Sequence, residues 1–170
     1  MAAILTGWVH PSNRLQPSLQ QALEAMNGDL PTGIPFLVWL LENPNSPIAL
    51  PGKIDLFGHD CLHLLLNKSF SSEDEAFVVG FTMGNDAQTR WFHLIFFKIF
   101  AFLFYPKTYR FHRKHFYDFD AGVVCGRSLK TRNLNQVEIK HHLNQTIDEL
   151  RSHFGIAAST PLQPSLEMLV

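Results

Sequence analysis

The sequence predicts an all-α fold, a compact single-domain helical bundle that spans residues 1–170 and contains a phenylalanine-rich central helix. Apolar residues recur at three- and four-residue steps in several segments, which is the spacing of one helix face. No long stretch alternates apolar and polar residues with the period of a strand. A chain of 170 residues is long enough to bury a core without disulfides, and its two cysteines show no paired spacing.

Proline, glycine and capping residues divide the periodic pattern into six predicted helices. These helices span about residues 15–26, 35–42, 53–67, 72–84, 89–105 and 139–154. Gly28 suits the position just past the end of the first helix, and Gly155 suits the same position after the last. Asn135 and Glu138 have capping-box spacing before the last helix, and residues 156–170 are predicted to form a loose tail.

Charge is nearly balanced, with 15 acidic against 14 basic residues, so no overall field favours nucleic acid as a partner. Eight of the bases are concentrated between Lys107 and Lys140, where they form a local basic stretch. The first residues, MAAILTGWVHPSNR, show neither the pattern of a signal peptide nor the arginines of an organelle presequence. We therefore expect a reducing, cytoplasmic location.

The segment GHDCLHLLL carries the strongest candidate for a functional site. On a helix, His59 and His63 lie four residues apart and present both imidazoles on one face, as in the zinc-binding H-E-x-x-H helix. Asp60 occupies the position of the glutamate base in that helix, so it can bind a metal, support a histidine or hold a water. Glu75 lies twelve residues beyond His63, and a helix–break–helix would return it to the histidines. Two imidazoles with one or two carboxylates suit Zn(II), Fe(II) or Mn(II).

Two structural alternatives compete with a metal site. Ser72 and Glu75 have S-x-x-E spacing, so Glu75 could be only the acid of a capping box. The histidine pair could also lie on the surface by chance, but the leucines at 62 and 64–66 leave little of this helix for water. Unpaired burial costs roughly 1–3 kcal/mol per polar group, and a metal ion would satisfy these side chains together.

Phenylalanine is concentrated in one region, since nine of the 15 fall between Trp91 and Phe119. The segment 91–105 is apolar nearly all round, yet it reaches only about 22 Å and cannot cross a membrane core of about 30 Å. It is a central core helix, a dimer contact, or a set of aromatic side chains that line an isoprenoid slot or enter a bilayer surface. The candidate lipid contacts are Phe92, Phe96, Phe97, Phe100 and Phe104. Bases and aromatics mix in the next segment, 105–120, which suits anionic headgroups or a solvated helix face.

The spacing H-D-x-x-H, then eleven residues, then E resembles the signature of the coenzyme Q biosynthesis protein 4 family. It is filled here by His59, Asp60, His63 and Glu75. The segments DEAFVVGFTMG and ELRSHFGI are also similar to segments of that family, so the resemblance covers most of the chain. The chain departs from the better-studied members in being short, in lacking a targeting leader and in having no glycine after the leucines that follow the histidines.

The resemblance implies an all-helical, peripheral membrane protein of ubiquinone or prenylquinone biosynthesis. Such a protein binds an isoprenoid or prenylated aromatic precursor and works with other quinone-biosynthesis proteins. The resemblance also implies a divalent metal, usually zinc, with Fe(II), Mn(II) and Mg(II) as alternatives. By carry-over, His59, His63 and Glu75 bind this metal, and Asp60 binds it or acts beside it as the catalytic residue.

Three functions remain open from the sequence. The first is that of the catalysts in this family, a metal-dependent oxidative decarboxylase that exchanges the carboxylate at ring carbon 1 of a polyprenylated hydroxybenzoate for hydroxyl. The second is a non-catalytic prenyl-lipid-binding scaffold that organises a biosynthetic complex and uses a closed, four-ligand metal only to join two helices. The third is a zinc hydrolase with Asp60 as its base.

Overall fold

The computed structural model describes residues 17–26, 38, 41–107 and 110–157, and every regular element within these ranges is helical. The α-helices are α1 (Leu19–Met26), α2 (Leu56–Leu66), α3 (Ser72–Asn85), α4 (Trp91–Leu103), α5 (His115–Ser128) and α6 (Ile147–Phe154), and two short 3-10 helices span Leu134–Gln136 and Ile139–His142. The all-α prediction is confirmed. Val38, Leu41 and Glu42 are also helical, and the rest of the helix predicted at 35–42 lies outside the described residues.

Helix α3 lies between two hydrophobic cores. On one side, Val78 and Phe81 pack with residues of α1, α2 and α6. On the other side, Val79 packs with residues of α4 and α5 and of the segment that joins them. Nine of the 14 residues of α3 are buried, whereas the phenylalanine-rich α4 buries Phe97 and Ala101. Helix α3 is therefore the most enclosed element, and α4 covers the second core from one side.

The most extensive helix contact joins α3 and α5, which cross with their backbones touching. Gly80 and Gly84 lie on one face of α3, and Gly122 and Gly126 lie on one face of α5. A Cβ built on any of these four glycines would overlap a backbone carbonyl oxygen of the opposite helix. Only glycine permits so close an approach, because every other residue places a Cβ between the two backbones.

The turn between α2 and α3 is held by its own side chains. Asn67 ends α2 in the left-handed conformation (φ 53°), where asparagine takes the place of the glycine that the family resemblance led us to expect. Ser71 caps α3, because its hydroxyl accepts a hydrogen bond from the Asp74 N–H at 3.2 Å. The Asp74 carboxylate accepts hydrogen bonds from the Lys68 ammonium group at 3.0 Å and from the Ser69 N–H at 2.9 Å. The first turn of α3 is thereby brought beside the end of α2.

Three predicted helix starts are wrong. Helix α1 begins at Leu19 rather than near residue 15, and residues 17 and 18 before it are not helical. Helix α2 begins later than predicted, because the side chain of Asp55 caps it at that point. The last helix also begins later, because a short 3-10 helix and a turn replace its first part. Thr146 and Glu149 form the capping box of α6, in place of the pair predicted at 135 and 138.

The C-terminal end of α6 agrees with the sequence in part. Gly155 ends the helix in the left-handed conformation (φ 72°), as predicted. Ile156 does not belong to a loose tail, because it is buried in the first core and its N–H donates a hydrogen bond to the Arg151 carbonyl at 2.8 Å. Residues 158–170 of the predicted tail, and Gly28, lie outside the described residues.

Helix α4 packs through one face and exposes the other. The ring of Phe97 stacks on that of Phe119, with 5.3 Å between centroids. The exposed apolar residues, called the α4 apolar face below, are Trp91, Phe92, Ile95, Phe96, Ile99, Phe102, Leu103 and Phe104. Within the described part of the chain, no helix has both the length and the apolar character needed to span a membrane.

Replacing Gly122 by alanine should lower the free energy of unfolding by roughly 1–3 kcal/mol or more, because the new Cβ would overlap the Phe77 carbonyl oxygen. Val124 lies on the same helix and is 68% exposed, so Val124→Ala should change stability by less than about 0.5 kcal/mol. Urea unfolding followed by circular dichroism measures both. Equal stability of the two variants would contradict the close crossing of α3 and α5.

Candidate metal site

Three side chains from two helices converge where α2 meets α3. His59 and His63 lie one turn apart on α2, and Glu75 lies in the first turn of α3. His59 Nε2 is 3.6 Å from Glu75 Oε2, and His63 Nε2 is 3.4 Å from Glu75 Oε1. The two imidazole centroids are 4.7 Å apart. One carboxylate therefore faces both imidazoles, as the spacing predicted.

These distances fit a shared divalent cation. The three ligand atoms lie within 4.8 Å of one another, and no other group of histidine, cysteine or acidic side chains in the described ranges converges in this way. Tetrahedral zinc with bonds of about 2.0–2.1 Å places its ligand atoms about 3.3–3.4 Å apart, close to the two distances from the Glu75 carboxylate. The group can hold a metal ion.

His63 gives an independent indication that a partner binds here. Its side chain is fully buried, and neither of its ring nitrogens has a hydrogen-bond partner within the protein. The ring of Phe70 packs against the imidazole, with 4.6 Å between centroids. Because buried polar atoms are almost always paired, at a cost of about 1–3 kcal/mol when they are not, a cation at Nε2 would relieve this penalty.

The electrostatic surroundings favour the protonation states that a metal needs. Burial lowers the pKa of His59 to about 4, so its imidazole is neutral at neutral pH. Burial by itself would raise the pKa of Glu75, but the facing imidazoles of His63 and His59 outweigh burial and hold that pKa below its ordinary value. A neutral imidazole and an ionised carboxylate are the forms that bind metals, since ligands must be deprotonated.

Asp60 lies between the two histidines in sequence but outside the group of converging ligand atoms. Its side chain is buried, and burial raises its pKa to about 6, while the positive charge of a protonated His63 would act in the opposite direction. Its predicted roles as metal ligand and as catalytic residue stay predictions. The observed position suits an acid beside the site more than a fourth ligand within it.

The alternative explanation for Glu75, as the acid of a capping box, is wrong. Helix α3 is capped one residue earlier than that box required, by Ser71, whose hydroxyl accepts from the Asp74 N–H. The side chain of Glu75 therefore has no part in the cap and points to the histidines.

A second acidic group, which the sequence did not predict, lies near the site. The Tyr105 hydroxyl donates a 2.5 Å hydrogen bond to Glu42 Oε1. Burial raises the pKa of Glu42 to about 7, and the negative charge of Glu75 contributes to this increase. The hydrogen bond from Tyr105 acts in the opposite direction and lowers the pKa. Burial also raises the pKa of Tyr105, so the phenol stays protonated. The two residues are 63 apart in sequence, and no spacing rule connects them.

The site is enclosed on one side and accessible on the other. The side chain of Glu75 is 35% exposed and that of His59 is 16% exposed, whereas His63 is buried behind Phe70. Three protein ligands with an accessible side are typical of catalytic metal sites, because structural zinc sites are closed by four ligands. Zinc hydrolases and iron(II) oxygenases both use two histidines and one carboxylate.

The five phenylalanines predicted to contact lipid do not share one environment. Phe92, Phe96 and Phe104 belong to the α4 apolar face. Phe100 is partly buried against the second core, and Phe97 is 1% exposed within that core. The first three are available to a lipid or protein surface, whereas Phe97 contributes to internal packing.

In the metal-free protein, Glu42→Gln should become more stable relative to wild type as pH rises from 4.5 to 7.5. The raised pKa of Glu42 gives a stabilising contribution that is complete below the ordinary value of 4.5 and is lost as pH passes through about 7. Glutamine stays neutral and keeps an acceptor for Tyr105, so the difference should reach at most about 3 kcal/mol. Urea unfolding in EDTA at several pH values measures this difference.

Glu73→Gln is the matched control for that measurement, because Glu73 is far more exposed and is paired with Lys114 at 2.5 Å. Its stability relative to wild type should change much less than that of Glu42→Gln between pH 4.5 and 7.5, since the pKa of Glu73 lies below the ordinary value and solvent screens its exposed charge. A flat pH profile for Glu42→Gln would contradict the burial of an ionisable carboxyl group at this position.

Comparison with known proteins adds no relative, since the chain matches no protein-family model, no curated protein and no solved structure. The resemblance to the coenzyme Q biosynthesis protein 4 family is therefore carried by the motif residues themselves. The all-helical fold and a group of His59, His63 and Glu75 that can hold a metal ion are what the structure shows, and membership of that family stays a prediction.

Proposed function

We propose that this chain is a membrane-associated, metal-binding protein of ubiquinone or prenylquinone biosynthesis that acts on a prenylated aromatic acid. The observation that carries the proposal is the convergence of His59, His63 and Glu75 around a space that fits a divalent cation. The unpaired nitrogens of His63 support it, because buried polar atoms need a partner. The connection to quinone biosynthesis comes from the sequence signature that the same residues fill.

The ligand set favours a catalyst over a scaffold and over a hydrolase. A scaffold that used the metal to join α2 and α3 would be expected to close the site with a fourth protein ligand. Three ligands converge here, and Glu75 keeps part of its side chain accessible. A hydrolase of the H-E-x-x-H type would need Asp60 to act as base on a metal-bound water with a side chain one methylene shorter than that of the glutamate in this motif, so we place this function third.

The proposed reaction replaces the ring carboxylate of the substrate by hydroxyl, with release of carbon dioxide. One atom of an external dioxygen enters the hydroxyl, and the other leaves as water after it takes two electrons from an external reductant and two protons. A divalent cation bound at the three ligands would act as a Lewis acid toward the ring carboxylate, and iron(II) would add the redox chemistry that zinc lacks. His59 presents a neutral nitrogen, His63 presents a second nitrogen, Glu75 supplies the negative charge, and Phe70 packs against the buried imidazole of His63. Asp60, with its pKa near 6, is placed to exchange a proton beside the site.

The α4 apolar face is the part of the surface that we propose meets the membrane. Thirteen helical residues reach about 20 Å, which suits a helix lying in the interface rather than crossing it. Exposed bases lie on both sides of this helix in sequence, Arg90 before it and Lys107 and Arg113 after it. Anionic headgroups would meet these bases while the aromatic side chains enter the acyl boundary.

Protein purified without chelators should contain about one divalent metal per chain, and His63→Ala should lose it, because two remaining ligands do not make a site. Glu75→Gln should weaken metal binding at least tenfold with little loss of stability, since Glu75 does not cap α3. Glu73→Gln is the matched control, on the same helix but paired with Lys114. Elemental analysis and chelator competition measure metal content and affinity.

A metal-free wild-type protein would overturn the proposed function. A Glu75→Gln protein that binds metal normally but unfolds more easily would do the same, because Glu75 would then be structural. The metal that copurifies also separates the functions, since iron supports the oxidative reaction. Zinc with four protein ligands by X-ray absorption would instead support the scaffold.

Ile99→Glu should weaken binding to vesicles that contain phosphatidylglycerol about tenfold or more, because an exposed member of the α4 apolar face becomes charged. Ile99 is 53% exposed, so the substitution should leave the fold intact. Val124→Glu changes a similarly exposed residue on α5 and should bind vesicles like wild type. If Ile99→Glu instead separates a dimer with unchanged vesicle binding, the α4 apolar face joins two copies of the chain.

A further inference from the structure

The carboxyl group of Glu42 is held in place on the inner side of the metal site. Its Oε1 accepts a 2.5 Å hydrogen bond from the hydroxyl of Tyr105, whose side chain is almost completely buried. The backbone of Glu42 is anchored as well, because its carbonyl accepts a hydrogen bond from the Ile54 N–H at 3.0 Å. With Oε1 used by Tyr105, Oε2 remains to accept a hydrogen bond from another group.

Glu42 and His59 lie on the wall of one small cavity. Its volume of about 10 Å³ is the size that holds one water molecule. Lys53 and Thr82 also line this cavity. A lysine ammonium group has no acceptor atom, whereas the Thr82 hydroxyl donates to the Val79 carbonyl at 2.9 Å and keeps its lone pairs as neutral acceptors. Glu42 is the one acidic residue among those that line the cavity.

His59 has one ring nitrogen that takes no part in the converging group. Its Nε2 faces Glu75 Oε2 at 3.6 Å, which leaves Nδ1 for an outer partner. Imidazoles that bind metals through one nitrogen almost always donate the other N–H to a carboxylate, a carbonyl or a water. That outer hydrogen bond selects the tautomer and fixes the orientation of the ring.

Building on the proposed metal site, we propose that Glu42 is the positioning residue for His59. Through one water in the shared cavity, its carboxylate accepts the hydrogen bond of His59 Nδ1–H, so Nε2 keeps its lone pair for the metal. Tyr105 acts one step further out, because its hydroxyl holds the Glu42 carboxylate in place. The chain Tyr105–Glu42–water–His59 thereby connects the end of the α4 segment with the metal site.

Two readouts on metal-free and metal-titrated protein test this assignment. Affinity is measured by competition of Zn(II) and Co(II) with a chelator, and the His59 tautomer is measured by long-range proton–nitrogen NMR without metal at about pH 8.5, where the Glu42 carboxyl group is ionised. Wild type should show the Nδ1–H tautomer. Glu42→Gln should bind metal about 10- to 100-fold more weakly and show a mixture of tautomers. Tyr105→Phe should change both readouts in the same direction by a smaller factor.

The control is Glu73→Gln, which removes an acid from the helix that carries Glu75 and should match wild type in both readouts. Thermal unfolding in EDTA verifies that each variant folds, and Tyr105→Phe tests the chain independently if Glu42→Gln does not fold. Unchanged affinity in Glu42→Gln, or weakened affinity with an unchanged tautomer, would overturn the assignment of Glu42. A wild-type chain that binds no metal would overturn the proposed function itself, so the two failures are distinguishable.

Discussion

The backbone contact between α3 and α5 is the constraint on which the other features depend. Four glycines allow the contact, and they fix the rotation of α3 about its own axis, because only its glycine face can lie against α5. Successive residues of a helix are about 100° apart, so Glu75, five residues before Gly80, points about 140° away from that contact. This direction is the one that leads to α2 and its histidines. The α3–α5 crossing therefore determines the direction of the Glu75 side chain, although Glu75 takes no part in that crossing.

The C-terminal end of α3 is fixed by the hydrogen bonds of a single buried side chain. Asn85 is buried, and its side chain donates to the carbonyls of Gly126 and Thr131 and accepts from the Leu134 N–H. With Ser71 capping the other end, α3 is held at both termini as well as along its glycine face. Such rigidity suits a binding site, because ligands on fixed helices need little reorganisation when an ion arrives.

The same rigidity has an electrostatic cost when no cation is present. His63 is buried without a hydrogen bond, and burial and the charge of Glu75 both raise the pKa of Glu42. Apolar substitutions at these positions would relieve that cost, so the polar cluster is not explained by stability. A bound dication would reverse the balance, since the Glu75 carboxylate and the Nε2 lone pairs of His59 and His63 would then have a partner.

How far the sequence predicts this molecule depends on the range of each interaction. The convergence of His59, His63 and Glu75 was predictable because the connections are local. One helical turn separates the two histidines, and one short turn, in which Asn67 adopts the left-handed conformation usual for glycine, leads to Glu75. The α3–α5 crossing and the Glu42–Tyr105 pair join residues that are 39 or more apart in sequence, and the local spacing of residues does not predict such contacts. The sequence also did not predict which neighbouring element each side chain of a predicted helix contacts.

Asp60 and Phe97 show this last limit. Each lies on a predicted helix, and its neighbours on that helix were correctly expected to face a site or a surface. Tertiary packing decides the direction of each side chain, and it turns Phe97 into the second core. Helical period predicts which residues share a face, but it does not tell which neighbouring element that face will meet.

The two faces of α4 relate the proposed metal site to the proposed membrane-binding surface. Phe97 lines the small cavity that contains His59 and Glu42, while the opposite side of the same helix is the α4 apolar face. A helix with its side chains is about 10–12 Å across, so the outer surroundings of the metal site and the apolar surface are about one helix diameter apart along this direction. A prenylated acid is apolar over most of its length, and each buried methylene contributes about 0.8 kcal/mol to its retention in lipid. The prenyl tail would therefore hold the substrate in the membrane beside the α4 apolar face. The metal site, about one helix diameter away, would need to recognise only the aromatic ring.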